Sequence, residues 1–316
     1  MTSKHGSKVV VVAALCGNLA IAVTKFIAAG ITGSSAMVSE GVHSAVDTIN
    51  QVLLLYGMKR AGRPASAARP FGYGRELYFW SFMVALLVFA LGAGVSISEG
   101  IQHVRDPEPM ERPLVNYLVL GISLLFEGSS WFIALREFRR DKGEAGYFQA
   151  FRRSKDPTTF TVLFEDTAAM LGLLLALAGI GAAQWLDMPV LDGVASICIG
   201  LVLAVASLLL ARETKGLLLG EAAHPHVRDA ILRIANADPA IRCANGVFTV
   251  HMGPSQVVAA LSAEFEDALT TPEIEACITR IEAAIAREQP AVTVLFVKPQ
   301  TPATWKASLP GAAPRT

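Results

Sequence analysis

The stretch Val190-Leu-Asp-Gly-Val-Ala-Ser-Ile-Cys-Ile-Gly-Leu-Val-Leu-Ala-Val-Ala-Ser-Leu-Leu-Leu-Ala211 decides the fold class. Its one ionisable residue, Asp192, stands near its start. Its length matches the ~20 residues that cross a hydrocarbon core of ~30 Å. Five more apolar stretches of similar length lie upstream, at about residues 9–30, 36–58, 78–102, 114–135 and 160–184. The first is too long for a signal-peptide core and contains Asn18 and Lys25, so it reads as a retained helix. From about residue 220 onward the composition is that of a soluble domain.

The whole chain agrees. Of 316 residues, 53% are hydrophobic and 17% charged, against ~45–50% and ~25% in an average soluble domain. With a mean hydropathy of +0.46, one soluble surface cannot cover this excess. Disorder, collagen and a disulfide scaffold are excluded on composition. Lys plus Arg equals Asp plus Glu, 27 each, so no global charge points to nucleic acid. Cys16, Cys198, Cys243 and Cys277 form no C-x-x-C pair, which argues against a thiolate zinc site or a redox motif.

Lys and Arg cluster on alternate loops. Lys59, Arg60, Arg63, Arg69 and Arg75 follow the second stretch. Arg136, Arg139, Arg140, Lys142, Arg152, Arg153 and Lys155 follow the fourth, and Arg212 and Lys215 the sixth. The segments Ile31–Ser35 and Gln184–Pro189 carry none. By the positive-inside rule both termini are expected in the cytoplasm. The C-terminal region reads as α-β-β-α-β. In Gln256–Glu266, Ala259, Leu261, Ala263 and Phe265 alternate with polar residues, the mark of a half-buried strand. Thr271-Pro272 is expected to open a helix whose buried stripe is Ile274, Cys277, Ile278, Ile281 and Ile285. The expected architecture is a membrane all-α bundle of six transmembrane helices over 1–215, a cytoplasmic α+β domain over 216–300, and a disordered tail over 301–316.

Ionisable residues within membrane helices are rare and usually functional. His43 and Asp47 are four apart and share a helix face. A neutral imidazole and a carboxylate on successive turns can hold a zinc-like cation. The same spacing also suits a plain His–Asp hydrogen bond between helices. Glu165 and Asp166 form a second acidic pair. Neighbours diverge by ~100° around a helix, so one can face a cation while the other meets another helix. Lys25 and Glu99 are expected to snorkel toward the outer ends. Gly17, Gly92, Gly94, Gly172, Gly193 and Gly200 are expected to be close helix contacts.

These motifs resemble the cation diffusion facilitator family of metal transporters over about residues 9–300. Gly17-Asn18 through Lys25-Phe26 is similar to its first helix, and Ser39-Glu40-Gly41-Val42-His43-Ser44-Ala45-Val46-Asp47 to its metal-binding second helix. Arg69-Pro-Phe-Gly-Tyr-Gly-Arg75 resembles its loop before helix 3, and Leu191-Asp192-Gly193 its sixth helix. Glu165-Asp-Thr-Ala-Ala169 is most like the zinc transporter 9 branch and its bacterial relatives.

The resemblance implies a ferredoxin-like or metallochaperone-like cytoplasmic domain, a homodimer joined through it, and a metal site between helices 2 and 5. It implies His43, Asp47 and Asp166 as ligands. A fourth ligand is usual where this chain has Val162, so Glu165, Glu127, Asn18 or water would complete the shell, Glu165 foremost. The family's loop histidine is replaced by Arg69, and the metal-binding residues of its cytoplasmic domain have no clear counterpart.

The implied activity is Zn²⁺/H⁺ antiport out of the cytoplasm, with no cofactor and no enzymatic reaction. Co²⁺, Fe²⁺ and Mn²⁺ are further candidate cargoes; His43 disfavours Mn²⁺. Lipid, the metal ion and protons are the expected partners, and nucleic acid is not. The expected location is a multi-pass protein of the bacterial cytoplasmic membrane. Two rivals use the same residues differently: a non-transporting membrane protein with a structural polar core and a partner-binding domain, or a proton-coupled exporter of an organic cation.

Overall fold

The computed structural model describes residues 3–109, 112–142 and 157–309. Arg152, Arg153 and Lys155 of the basic fourth loop, and residues 310–316 of the expected tail, lie outside the described residues. The chain divides into two compact units, Met1–Arg60 with Glu76–Lys215, and Ala61–Arg75 with Gly216–Thr316.

Among the described residues, the first unit contains six long helices: α1 Ser3–Thr32, α2 Ser35–Ala61, α3 Arg75–Arg105, α4 Pro113–Lys142, α5 Pro157–Trp185 and α6 Val190–Leu219. Four of the described segments are long and apolar enough to cross a membrane: Arg75–Arg105, Pro113–Arg136, Thr161–Trp185 and Val190–Leu219. The described apolar part of α1, Asn18–Thr32, is shorter. Helix α2 is long, but its apolar residues are diluted by Ser35, Ser39, Glu40, His43, Ser44 and Asn50, all buried. Its polar groups face inward, the arrangement expected where ionisable residues enter a membrane bundle. The core gathers Met37, Val46, Leu120, Leu173, Ile180, Ile199 and Leu203. Leu114, Leu118, Leu125, Val205 and Leu208 point outward and are exposed, a surface that suits lipid.

Close backbone approach holds α3 and α6 together. A Cβ on Gly100 would lie 2.6 Å from Gly193 O, and one on Gly200 would lie 2.6 Å from the Ile97 side chain. Gly172 is as tight, 2.5 Å from Glu40 Oε1. Gly92 and Gly94 are not; a Cβ there would find its nearest neighbours at ordinary distances of 3.4 and 3.8 Å. They lie at a π-helical turn, Val88–Ala93, which interrupts α3 where sequence periodicity shows no break. Gly17 has no described surroundings.

Asp192 closes the turn between α1 and α2. Its carboxylate accepts from Ser34 Oγ at 2.9 Å, Ser35 N at 2.6 Å and Ala36 N at 3.3 Å. Those backbone groups are the orphan donors of the α2 N-terminus, and a negative charge is favoured there. Gly33, with φ +69°, makes the turn.

The second unit is a three-stranded sheet covered on one face by two helices. Strands β1 Ile241–Gly253 and β2 Gln256–Phe265 are antiparallel, and β3 Val292–Pro299 runs parallel to β2, which lies in the middle. Helices α7 Pro225–Asn236 and α8 Thr271–Glu288 bring Val227, Ile231, Cys277, Ile281 and Ile285 onto Val257, Ala259, Leu261 and Ala263. The α8 stripe is the predicted one, with Ile274 and Ile278 at its margin.

Three details differ from the sequence reading. The N-cap is Thr270, one residue early, and the Glu273 carboxylate accepts from its backbone N and its hydroxyl, both at 2.7 Å. Strand β1 begins at Ile241, and register shifts between Ile241 and Cys243 and between Ala244 and Gly246 hide its alternation in the sequence. The tail is not without structure: Pro302–Ser308 forms helix α9. Its prolines read as breakers, but Pro302 sits in the first turn, where proline fits, after Thr301 as N-cap. Trp305 of α9 packs on Phe248 with ring centroids 4.9 Å apart.

Residues 61–75 also group with this unit, although composition places them with the membrane helices. Phe71 meets Phe296 edge-on at 6.4 Å, and the Arg69 guanidinium lies 4.9 Å from the Tyr73 ring centre.

Candidate metal centre

Helix α2 turns His43 and Asp47 to the same side, with His43 Nε2 3.5 Å from Asp47 Oδ2. His43 is buried, and neither of its ring nitrogens has a hydrogen-bond partner. Asp47 Oδ1 is also buried and unpartnered. Buried polar atoms are costly unless something satisfies them, so these three stand out. Asp47 lines a cavity of about 560 Å³ between α1, α2, α4 and α5.

Helix α5 starts at Pro157, which puts Glu165 and Asp166 more than two turns inside it. Both line the cavity, and they diverge as helix geometry requires. Glu165 accepts from Asn50 Nδ2 of α2 at 2.9 Å, while Asp166 accepts from Ser130 Oγ of α4 at 3.2 Å. Three of the four sequence-predicted residues, Asp47, Glu165 and Asp166, therefore border one cavity, and His43 lies behind Asp47. They are not drawn into a tight shell: among the described residues, no three His, Cys, Asp or Glu side chains are close enough together to hold a metal ion.

The other candidate donors fare differently. Asn18 and Val162 line the cavity. Glu127 lines it too, but its Oε1 is 3.0 Å from Lys25 Nζ. Lys25 does not snorkel. It is 0% exposed and also donates to Glu40 Oε2 at 2.9 Å and Ser44 Oγ at 2.8 Å. The physical reason is that two carboxylates on neighbouring helices lie at its depth and satisfy its charge there. The sequence held a signal for this: Lys25 and Glu40 stand at similar distances on either side of the Gly33–Ser34 turn.

A model of the cation efflux transmembrane domain matches residues 11–219. The proton-coupled zinc antiporter SLC30A9, mitochondrial, of Xenopus laevis is 33% identical over 273 residues, 86% of this chain and 49% of that protein. Metal tolerance protein C4 of Arabidopsis thaliana is 29% identical over 243 residues, 76% of this chain and 53% of its own length. The cation-efflux pump FieF of Klebsiella pneumoniae is 25% identical over 277 residues, 88% of this chain and 87% of the pump. The chain thus spans about half the length of the first two relatives and most of the third. With four helices apolar enough to span a bilayer, it is an integral membrane protein. The match across all the long helices places the chain in the cation efflux, or cation diffusion facilitator, family, with the zinc transporter 9 branch.

Proposed function

We propose that this protein exports a divalent metal ion, Zn²⁺ foremost, from the cytoplasm in exchange for protons, with His43, Asp47, Glu165 and Asp166 as the metal-binding groups. One observation carries the reading: the His43 ring nitrogens and Asp47 Oδ1 are buried without hydrogen-bond partners, and Asp47 lines a cavity that also receives Glu165 and Asp166. Those groups bind protons as well as metal. Metal requires neutral histidine and ionised carboxylates, so loading releases protons and acid on the far side expels the ion. The mixed nitrogen and oxygen donors suit a borderline cation such as Zn²⁺. The names of the vertebrate relatives support both the metal and the proton coupling.

Six spans with both termini cytoplasmic complete the proposal. The clustering of Lys and Arg in the loops after α2, α4 and α6 supports that orientation. A bacterial cytoplasmic membrane is supported by the extent of the match to FieF. We also propose a homodimer through the C-terminal unit. Phe248, Ala260 and Phe296 lie in register across the three strands, and both phenylalanines remain about half exposed, at 49% and 53%.

The test is metal uptake into proteoliposomes under an imposed pH gradient, comparing wild type with Asp47→Ala. Loss of uptake in the variant is expected; full uptake would remove the assignment. The non-transporting reading remains the second one, favoured by the looseness of the four groups, and unchanged luminal zinc with wild-type protein would establish it.

A further inference from the structure

One buried and fully paired charge in the membrane unit, Lys25, plays no part in that mechanism. Lys25 Nζ is held by three oxygens at 2.8–3.0 Å, from Glu40, Ser44 and Glu127. They come from two helices, α2 and α4, and the lysine from a third, α1. Each glutamate has a second oxygen left over: Glu40 Oε1 and Glu127 Oε2 are buried without a partner. Space for the Glu40 carboxylate exists because α5 has Gly172 beside it, where a Cβ would lie 2.5 Å from Oε1. The ammonium thus occupies an oxygen-lined place such as a free cation would take.

This cluster borders the candidate metal centre. Thr24, Ser44 and Glu127 line the same cavity as Asp47, Glu165 and Asp166. Five carboxylates, those of Glu40, Asp47, Glu127, Glu165 and Asp166, therefore lie in or beside one cavity. With no counter-ion, Glu40 and Glu127 would add oxygen donors and two negative charges to it. All-oxygen, highly charged sites favour hard cations such as Ca²⁺ and Mn²⁺, and a surplus of carboxylates draws a second ion.

We infer that Lys25 is a specificity-determining counter-ion: it engages Glu40 and Glu127 so that the three remaining carboxylates of the cavity, with His43 beside Asp47, load one zinc-like ion. The inference rests on the reading of this cavity as the metal site. Lys25 touches no metal. It acts through the two glutamates that it keeps occupied.

Equilibrium binding of Zn²⁺, Mn²⁺ and Ca²⁺ to the full chain in detergent tests this, with ions bound per protomer as the main readout. Wild type should bind one Zn²⁺. Lys25→Met should gain a second divalent ion, with Mn²⁺ affinity raised by about tenfold or more. Adding Glu40→Gln and Glu127→Gln to that variant should abolish the gained ion. One Zn²⁺ per protomer in Lys25→Met, with Mn²⁺ and Ca²⁺ affinities unchanged, overturns the inference and leaves the metal site standing. No Zn²⁺ bound by folded wild type overturns the site and the inference together. Should Lys25→Met fail to fold, Glu40→Gln with Glu127→Gln carries the test. That pair leaves the lysine charge unbalanced beside the site, and Zn²⁺ affinity should fall about tenfold. Unchanged affinity there overturns the inference.

Discussion

The two halves of α2 treat buried carboxylates in opposite ways. At its N-terminus, Asp192 from α6 is fully engaged, accepting from Ser34, Ser35 and Ala36. Further along the same helix, Asp47 keeps one oxygen without a partner and His43 keeps two ring nitrogens without any. Both acids are ionisable residues in apolar helices, and sequence hydropathy cannot separate them. Satisfaction does: the carboxylate that the fold has saturated is structural, and the one left with spare valence is available for a cation.

Breaking the saturated end should have the largest effect on folding. Asp192→Ala removes the acceptor for two backbone donors and one hydroxyl, all buried. A loss of about 3 kcal/mol is expected from unsatisfied buried donors, read as a lower thermal midpoint in detergent. Asp192→Asn keeps an acceptor and should lose less. A midpoint unchanged in both variants would remove the contrast between the two ends.

Breaking the open end should do the reverse. His43→Ala and Asp166→Ala are expected to abolish proton-driven metal transport while leaving the thermal midpoint near that of wild type. The His43 ring nitrogens have no hydrogen-bond partner to lose, and Asp166 loses only an exposed one from Ser130, so little stability depends on either. Transport should also weaken as pH falls on the loading side, since protons compete for the same atoms. A stability loss comparable to that of Asp192→Ala would make the His43 pair structural.

The contrast also explains what could be read ahead of the structure. Long apolar runs marked every long helix, and period-2 alternation marked β2, because both follow from one element's own residues. The α5 start at Pro157 was legible for the same reason. Lys25 was misread because its partners lie on α2 and α4, and helix spacing rules describe neighbours on one helix only. The early start of β1 at Ile241 and the tail helix α9 were missed where register shifts and a first-turn proline imitate irregular chain. The four proposed metal-binding residues could be named, but not how loosely they sit.

That looseness can be sharpened by restoring a donor. Val162 lines the cavity, one turn before Asp166. Val162→His should tighten Zn²⁺ binding and slow release if the site is short of a ligand, because selectivity follows ligand type and geometry. Glu165→Gln discriminates the alternative, since Glu165 now accepts from Asn50. If Glu165 completes the shell, that variant should weaken Zn²⁺ binding about tenfold or more, and Val162→His should gain nothing. Isothermal titration of both variants separates the two outcomes.

The smallest effect is expected in the C-terminal unit, where a carboxylate is satisfied at the protein surface. Asp238 caps the approach to β1, accepting from Ala240 N at 3.0 Å and from Arg280 Nε and Nη2, both at 2.9 Å. The Arg280 hydrogen bonds, with that from Ala240, hold the Asp238 carboxyl below its usual value. Its ionised form is therefore favoured in the folded state, and the resulting stability is present above the ordinary carboxylate range. It is lost as pH falls through the depressed folded value. Arg280 is largely exposed, so solvent screens the pair and the gain is small. Cys277 responds to the same carboxylate: burial first, and then Asp238, push its thiol up to about 11. Amide exchange along Thr271–Glu288 in the full chain should quicken slightly for Asp238→Asn at neutral pH, and that difference should shrink in acid. Cys277 should resist maleimide at pH 8 in wild type, since the thiol stays protonated, and react faster only where α8 has loosened. If Asp238→Asn altered metal transport as strongly as Asp166→Ala does, an acid that the fold has satisfied would matter as much as one left free, and the contrast along α2 would lose its meaning.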